Sequence, residues 1–296
     1  MVSPMHRVAL QKSMLDLVHR TCTELPEDVF QAIETAYQHE EHGSVAQLTL
    51  FIIRQSAQSS AQERLPLCQD TGAVFAIIKA KPNKELFAIN EAIKEAIRSL
   101  TREGTLRQNC VDPLTERNTG NNIGDHAPMI HTHPWDGPAQ VFMMLKGGGS
   151  ENISTQYSLP NEGLCAGRDL DGARRCMLDA VFQAQGKGCA PGILGVCIGG
   201  DRTSGYIQAK EQLFRKLNDK NPSAQLARLE DVVYAEANML GIGPMGLGGK
   251  ATLLGVKISP AARHPACYYV TVSYSCWATR RYAVELDENG RIARWL

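Results

Sequence analysis

Four stretches of the chain concentrate residue types that can do chemistry: PLCQDTG (66–72), LKGGGSENIS (145–154), GCAPGILGV (188–196) and LGIGPMGLGGK (240–250). Consecutive glycines allow positive φ and let backbone N–H groups approach a ligand, where they can hold carboxylate oxygens. Three cysteines sit in or beside such stretches: Cys68 before a Gln-Asp-Thr-Gly turn, Cys189 before Ala-Pro-Gly, and Cys276 at the end of a strand-like run. Thiolates are soft ligands that suit iron or zinc. Their wide separation fits no zinc-finger, ferredoxin or CxxC spacing, so spacing alone leaves a metal site and ordinary buried thiols both open. Each glycine stretch, taken singly, also reads as a tight turn. GIGPMGLGGK ends in Gly-Lys with no Ser or Thr following, and no proper GxGxxG is present, so these motifs do not make a nucleotide site.

Nine cysteines, an odd number spread over the whole length, argue against a disulfide framework and for a reducing compartment. Cys22, Cys110, Cys165, Cys176 and Cys197 are expected to be small buried apolar residues. His126, His131 and His133 are expected to be exposed loop histidines, although the last two make an HxH pair. Thirty-one basic and 31 acidic residues cancel. That removes the electrostatic case for a nucleic-acid or membrane-surface partner and leaves any anion to be bound locally. The N-terminal stretch has no uninterrupted apolar core of a secretory signal, and no run is long enough to span a bilayer, so a cytoplasmic protein is expected.

The elements that must carry these motifs follow from periodicity. With 296 residues, 43% of them hydrophobic, a sizeable core can be buried. Residues 1–62 read as an opening helical region: apolar spacing over Val8 to Val18, a second segment opened by Pro26, and a third from Val45. AVFAIIKA (73–80), AQVFMMLKG (139–147), GILGVCIGG (192–200), TLLGVKIS, CYYVTVSYSC and RRYAVEL read as strands. Helices are expected over Glu85 to Ser99, Gly172 to Gln185, Thr203 to Leu217 and Leu226 to Leu240. Residues 109–137, rich in Asn, Asp, Gly and Pro, read as a long ordered loop of the kind that often carries function. The reading is one α+β (mixed α/β) unit over 1–296, helical first and mixed strands and helices afterwards.

In their order along the chain, LCQDTG, RQN with NTGNN, KGGGSEN, CAPGILGV with IGG, NMLGIGPMGLGGK, and ARHPA with VSYSCWATRR resemble the class I (iron–sulfur) fumarase and L(+)-tartrate dehydratase family, specifically its N-terminal or α part. The resemblance covers nearly all of the chain after the opening helices. It implies a 4Fe–4S cluster held by Cys68, Cys189 and Cys276, with one iron not ligated by protein and free to act as a Lewis acid on substrate.

The same resemblance makes Asp70 the carboxylate that handles the proton of hydroxyl or water, and His264 an active-site histidine near the substrate. Arg107 becomes the partner of a substrate carboxylate, for which its planar fork is shaped. Gln69 and the backbone of Gly147, Gly148 and Gly149 help to hold the dicarboxylate. Single-chain relatives continue into a second domain and two-subunit relatives use a separate β chain. The resemblance therefore implies an α subunit, a β partner that completes the site, and a homodimer of α chains. The implied reaction is hydration and dehydration of a C4 dicarboxylate: fumarate/L-malate first, with L(+)-tartrate or mesaconate as alternatives. A non-catalytic iron–sulfur redox sensor is the rival reading, and it would need only the cysteines.

Overall fold

The computed structural model describes residues 4–296, the side chain of Pro4 excepted. In chain order α1 (Pro4–Thr23), α2 (Glu27–His39) and α3 (Val45–Glu63) precede β1 (Ala73–Ala80), α4 (Lys84–Arg102), β2 (Met129–Pro134) and β3 (Gln140–Lys146). Then come a short α5 (Gly148–Asn152), β4 (Thr155–Ser158), α6 (Leu170–Ala184), β5 (Gly192–Gly199), α7 (Arg202–Gln212) and α8 (Ala224–Met239). Strands β6 (Leu253–Ala261), β7 (Tyr269–Ser275), β8 (Arg280–Leu286) and β9 (Ile292–Trp295) complete an α+β fold.

The described residues divide into two compact units. The first comprises residues up to Pro26, Ser56–Gly147 and Arg280–Leu296. Its sheet has the order β2-β1-β3-β8-β9, parallel only between β1 and β2. Apolar residues at helical spacing put Leu10, Met14, Leu17 and Val18 of α1 and Ile89, Ile93, Ile97 and Leu100 of α4 into one core with Ile78, Val141, Met143 and Val284 of the strands. Asn83 caps α4 by accepting from Glu85 N–H at 2.8 Å.

The second unit comprises Glu27–Gln55 and Gly148–Thr279. Its sheet has the order β4-β7-β5-β6, with β5 and β6 parallel and the other pairs antiparallel. β5 is buried along its whole length, as its unbroken apolar run predicts for a strand covered on both faces. Leu194, Val196 and Ile198 face a core shared with α6 and α8. On the opposite face the missing side chain of Gly195 lets the Ala209 carbonyl of α7 lie directly against the strand.

Three strands escaped the sequence reading. β2 lies inside the supposed loop, because MIHTHP is too polar to read as a strand but needs little apolar character at a sheet edge beside β1. Consequently His131 and His133 are half-buried strand residues and not exposed loop residues, and the His131 ring packs on Phe75 at 5.2 Å. β4 and β9 are four-residue edge strands. α7 also stops before the expected Leu217: the N–H groups of Leu213, Phe214 and Arg215 turn to carbonyls three residues back. No described helix is long and apolar enough to cross a membrane.

Candidate active site

In the first unit the Cys68 turn is tied to the end of α1. Leu67 N–H donates to the Cys22 carbonyl at 3.0 Å, and the Ser60 hydroxyl, which contacts the carbonyls of Thr23 at 2.8 Å and Leu65 at 2.6 Å, closes the approach. Cys68 and Asp70 are half-buried and Gln69 between them is exposed. Asp70 Oδ1 accepts the Gly72 N–H at 2.9 Å, a tight turn that fixes the carboxylate. Gly72, at φ 82°, lies directly on the Lys146 backbone, so the DTG turn is seated on the end of β3, where the glycine loop begins. Gly147 lies against the carboxylate: a Cβ there would stand 3.1 Å from Asp70 Oδ2.

Buried Thr71 binds the RQN segment to this turn, its Oγ1 accepting from Arg107 N–H at 3.1 Å and from Asn109 Nδ2 at 3.2 Å. Asn109 Nδ2 is also 3.4 Å from Asp70 Oδ1. Asn122, with a left-handed backbone (φ 59°), clamps the same segment: its Oδ1 accepts from Asn109 N–H at 2.7 Å and its Nδ2 donates to the Arg107 carbonyl at 2.7 Å. The Arg107 guanidinium is left exposed, with no ion-pair partner among the described residues. Thr71, Asn109 and Asn122 are the residues that sequence reasoning missed. Their signal was the Asn content of RQN and NTGNN, but nothing local told which of these amides face Asp70.

In the second unit Cys189 and Cys276 are brought together. Cys189 is a left-handed residue (φ 51°) just before β5, and Cys276 follows β7 directly. The β5 and β7 strands are antiparallel, with Ile193 opposite Ser275, so both cysteines lie at one end of the sheet. The Trp277 N–H donates to the Cys189 carbonyl at 3.1 Å. Ser150 of the glycine loop, itself buried, accepts the Cys276 N–H on its Oγ at 3.1 Å. Burial pushes the hydroxyl of nearby Tyr274 up in pKa, and the neighbouring Cys276 and Cys189 push it further.

The donor set fits an iron–sulfur group: Cys68, Cys189 and Cys276 are half-buried, none of the nine cysteines is in a disulfide, and two of these three share a sheet end. Among the described residues no three His, Cys, Asp or Glu side chains stand as a ready-made metal group. Of the other cysteines, Cys22, Cys176 and Cys197 are buried as expected, Cys110 is half-buried, and Cys165 is exposed on a left-handed turn, against expectation.

His264 lies elsewhere in the second unit. It is exposed, in a turn between β6 and β7, and lines a cavity of about 550 Å³ with Gly200, Asp201, Arg202, Arg263 and Tyr269. Its Nδ1 accepts the Ala266 N–H at 3.1 Å, so the ring carries its hydrogen on Nε2 and offers it outward as a donor. Arg263 Nη1 holds the turn through the carbonyls of His264 (3.2 Å), Pro265 (3.0 Å) and Cys267 (3.0 Å).

The family model for fumarate hydratase (Fumerase) matches residues 11–285, and the chain belongs to that family. It is 47% identical over 292 residues to a Geobacillus stearothermophilus protein named "Putative fumarate hydratase class I", covering 97% of this chain and 57% of that protein. The chain thus spans little more than half of that relative's length. It is 35% identical to the Methanocaldococcus jannaschii "Putative L(+)-tartrate dehydratase subunit alpha", over 90% of this chain and 94% of that one. Identity to the L(+)-tartrate dehydratase subunit alpha of Escherichia coli K12 is 28%, over 88% of this chain and 84% of that one.

Proposed function

We propose that the chain is the cluster-bearing subunit of a hydro-lyase that reversibly adds water to a C4 unsaturated dicarboxylate, with fumarate and L-malate as its pair. The observation that carries this reading is the glycine heptapeptide KGGGSEN: Gly147 closes on Asp70, and Ser150 three residues later takes the amide of Cys276. One short loop thereby serves both an acid–base carboxylate and a thiol ligand. Cys68, Cys189 and Cys276 are assigned as ligands of a 4Fe–4S cluster with one iron left open. When bound, that group supplies a Lewis acid for the substrate's carboxylate and hydroxyl.

The chain's own residues do the rest. Asp70, fixed by Gly72 and approached by Asn109, takes and returns the oxygen-bound proton. The exposed fork of Arg107 pairs with one substrate carboxylate, while Gln69 and the N–H groups of Gly147, Gly148 and Gly149 orient the molecule. His264 is assigned to the substrate as a hydrogen-bond donor through Nε2. Proton exchange at carbon is left to a separate β chain, the arrangement that the α-subunit names of two relatives support. A cytoplasmic enzyme with paired α chains accords with this reading. The relatives named for tartrate keep L(+)-tartrate as the second substrate, and mesaconate the third.

Anaerobic reconstitution followed by assay with fumarate, tartrate and mesaconate, with a β chain present, tests the proposal. Ser in place of Cys68, Cys189 or Cys276 is expected to abolish the cluster absorbance, while Cys165→Ser and Cys176→Ser retain it. A triple Cys→Ser variant that still assembles the cluster overturns the ligand assignment. A clustered protein with no turnover of any of the three substrates leaves a redox sensor as the reading.

A further inference from the structure

One cation of the first unit is buried without a partner. Arg280, the first residue of β8, is 1% exposed, and its Nε and Nη1 meet no hydrogen-bond acceptor. A buried lysine can shed its proton, but a guanidinium stays charged at any ordinary pH. A charge taken out of water with donors unpaired works against the fold. The acceptors nearest in the chain's path are engaged elsewhere: the Cys22 carbonyl takes the Leu67 N–H at 3.0 Å, and the Leu25 carbonyl takes the Tyr282 hydroxyl at 3.0 Å.

The register places this charge at the end of the sheet that carries the Cys68 turn. Val74, Leu145 and Arg280 lie side by side across β1, β3 and β8, and directly opposed residues share a face. Leu145 belongs to the core under α1 and α4, with Val74 packed against it, so Arg280 extends to that same face. Val74 closely follows Gly72, which is seated on Lys146 at the end of β3. Cys22, in the last turn of α1, belongs to the same core, and its carbonyl holds Leu67, the residue before Cys68. The Cys22 thiol feels the Arg280 charge, which opposes the upward push of burial on its pKa. The guanidinium is thereby held where α1 stops and the LCQDTG stretch leads into β1.

We propose that Arg280 is the buried counter-charge of the iron–sulfur cluster on its Cys68 side, a cation that the fold keeps unpaired until the anionic cluster is bound. This rests on the cluster assignment of the hydro-lyase reading. Held by the thiolates of Cys68, Cys189 and Cys276, a 4Fe–4S core carries a net negative charge, and net charge around a cluster sets its potential. A fixed cation in a water-poor setting tightens the binding of that anion and favours its reduced form. It also links assembly to folding, since whatever compensates Arg280 stabilises the folded chain. Arg280 acts through the cluster and touches no substrate atom, so it is a positioning residue and not a catalytic one.

Arg280→Met and Arg280→Lys test the proposal in the full chain, with and without cluster. In the cluster-free chain Arg280→Met removes an uncompensated charge and keeps most of the bulk, so its thermal midpoint is expected to rise. After anaerobic reconstitution the same variant should yield iron to a chelator about tenfold faster than wild type, the effect of one lost charge-assisted interaction. Its cluster should also be reduced at a lower potential, because a missing cation disfavours the added electron. Arg280→Lys keeps the charge and should restore most of the potential and of the slow release. A midpoint of cluster-free Arg280→Met that stays or falls overturns the proposal and makes the residue a strut of the fold. Wild-type potential and release rate in Arg280→Met overturn it as well, and a raised KM for fumarate with those two unchanged would assign the residue to the substrate. The expected shifts in a holoenzyme that turns over no dicarboxylate place the failure in the hydro-lyase reading alone, whereas a wild-type chain that assembles no cluster overturns both.

Discussion

Asp70 is held by the Gly72 N–H at 2.9 Å, by the Asn109 amide at 3.4 Å and by the close backbone of Gly147. Such a setting fixes the position of the carboxylate. Asp70→Asn keeps the shape but cannot take a proton, so kcat is expected to fall by roughly 10² or more with cluster absorbance unchanged. Normal turnover of that variant removes Asp70 from the mechanism. Thiols divide by environment in a way that labelling can read. Burial pushes Cys176 up to about 12 and Cys197 up to about 11. Burial also raises Cys22 to about 11, with Arg280 opposing. Raised values mean that almost no thiolate exists at pH 8, so iodoacetamide should modify exposed Cys165 in the native protein and reach Cys22, Cys176 and Cys197 only after unfolding. Mass spectrometry of the native protein checks this, and early modification of Cys176 contradicts it.

Elements repeat the lesson at longer range. β1 and β5 were legible because an unbroken apolar run has few other ways to be buried, whereas β2 was hidden because a polar edge strand carries little hydrophobic signal. The candidate site rests on resemblance: its contacts, such as Ser150 to Cys276, join residues far apart in the chain, which no spacing rule detects. The connection between α7 and α8 was equally silent, yet it is built on charge. Buried Glu230 accepts from Arg215 Nη1, Asn221 Nδ2 and Ile258 N–H, each at 2.7 Å. Glu230→Ala leaves the Ile258 N–H without its acceptor, while Arg215 keeps Asp219 and Asn221 keeps the Ile258 carbonyl, so a loss of roughly 1 to 3 kcal/mol is expected, read as a lowered thermal midpoint. In the same cluster burial raises the Asp219 carboxyl, but hydrogen bonds from Arg215 and Lys257 outweigh it, and the net shift is downward. A depressed carboxyl contributes in full above its unfolded value near 3.8 and loses that contribution as pH falls through the lower folded value. Thermal stability should therefore hold down to about pH 5 and drop below about pH 4, with a shallower drop in Asp219→Asn; an unchanged acid profile for that variant refutes the assignment.

For the whole molecule, charge and chemistry together point beyond one chain. With 31 basic and 31 acidic residues the protein has no net field to gather a dianion, so binding must come from local donors. In the first unit the Arg107 fork can pair with one carboxylate of a dicarboxylate. The proposed reaction also needs a group for the second carboxylate and one to exchange the proton at carbon. If a β chain supplies these, catalysis should depend on its concentration while cluster assembly does not. Titrating a β chain into reconstituted protein is expected to raise kcat/KM for fumarate by about 10² or more, with the cluster spectrum constant throughout. Activity that is already complete without the β chain would remove the need for that partner. A cluster that forms only in its presence would place a ligand on it and displace one of Cys68, Cys189 and Cys276.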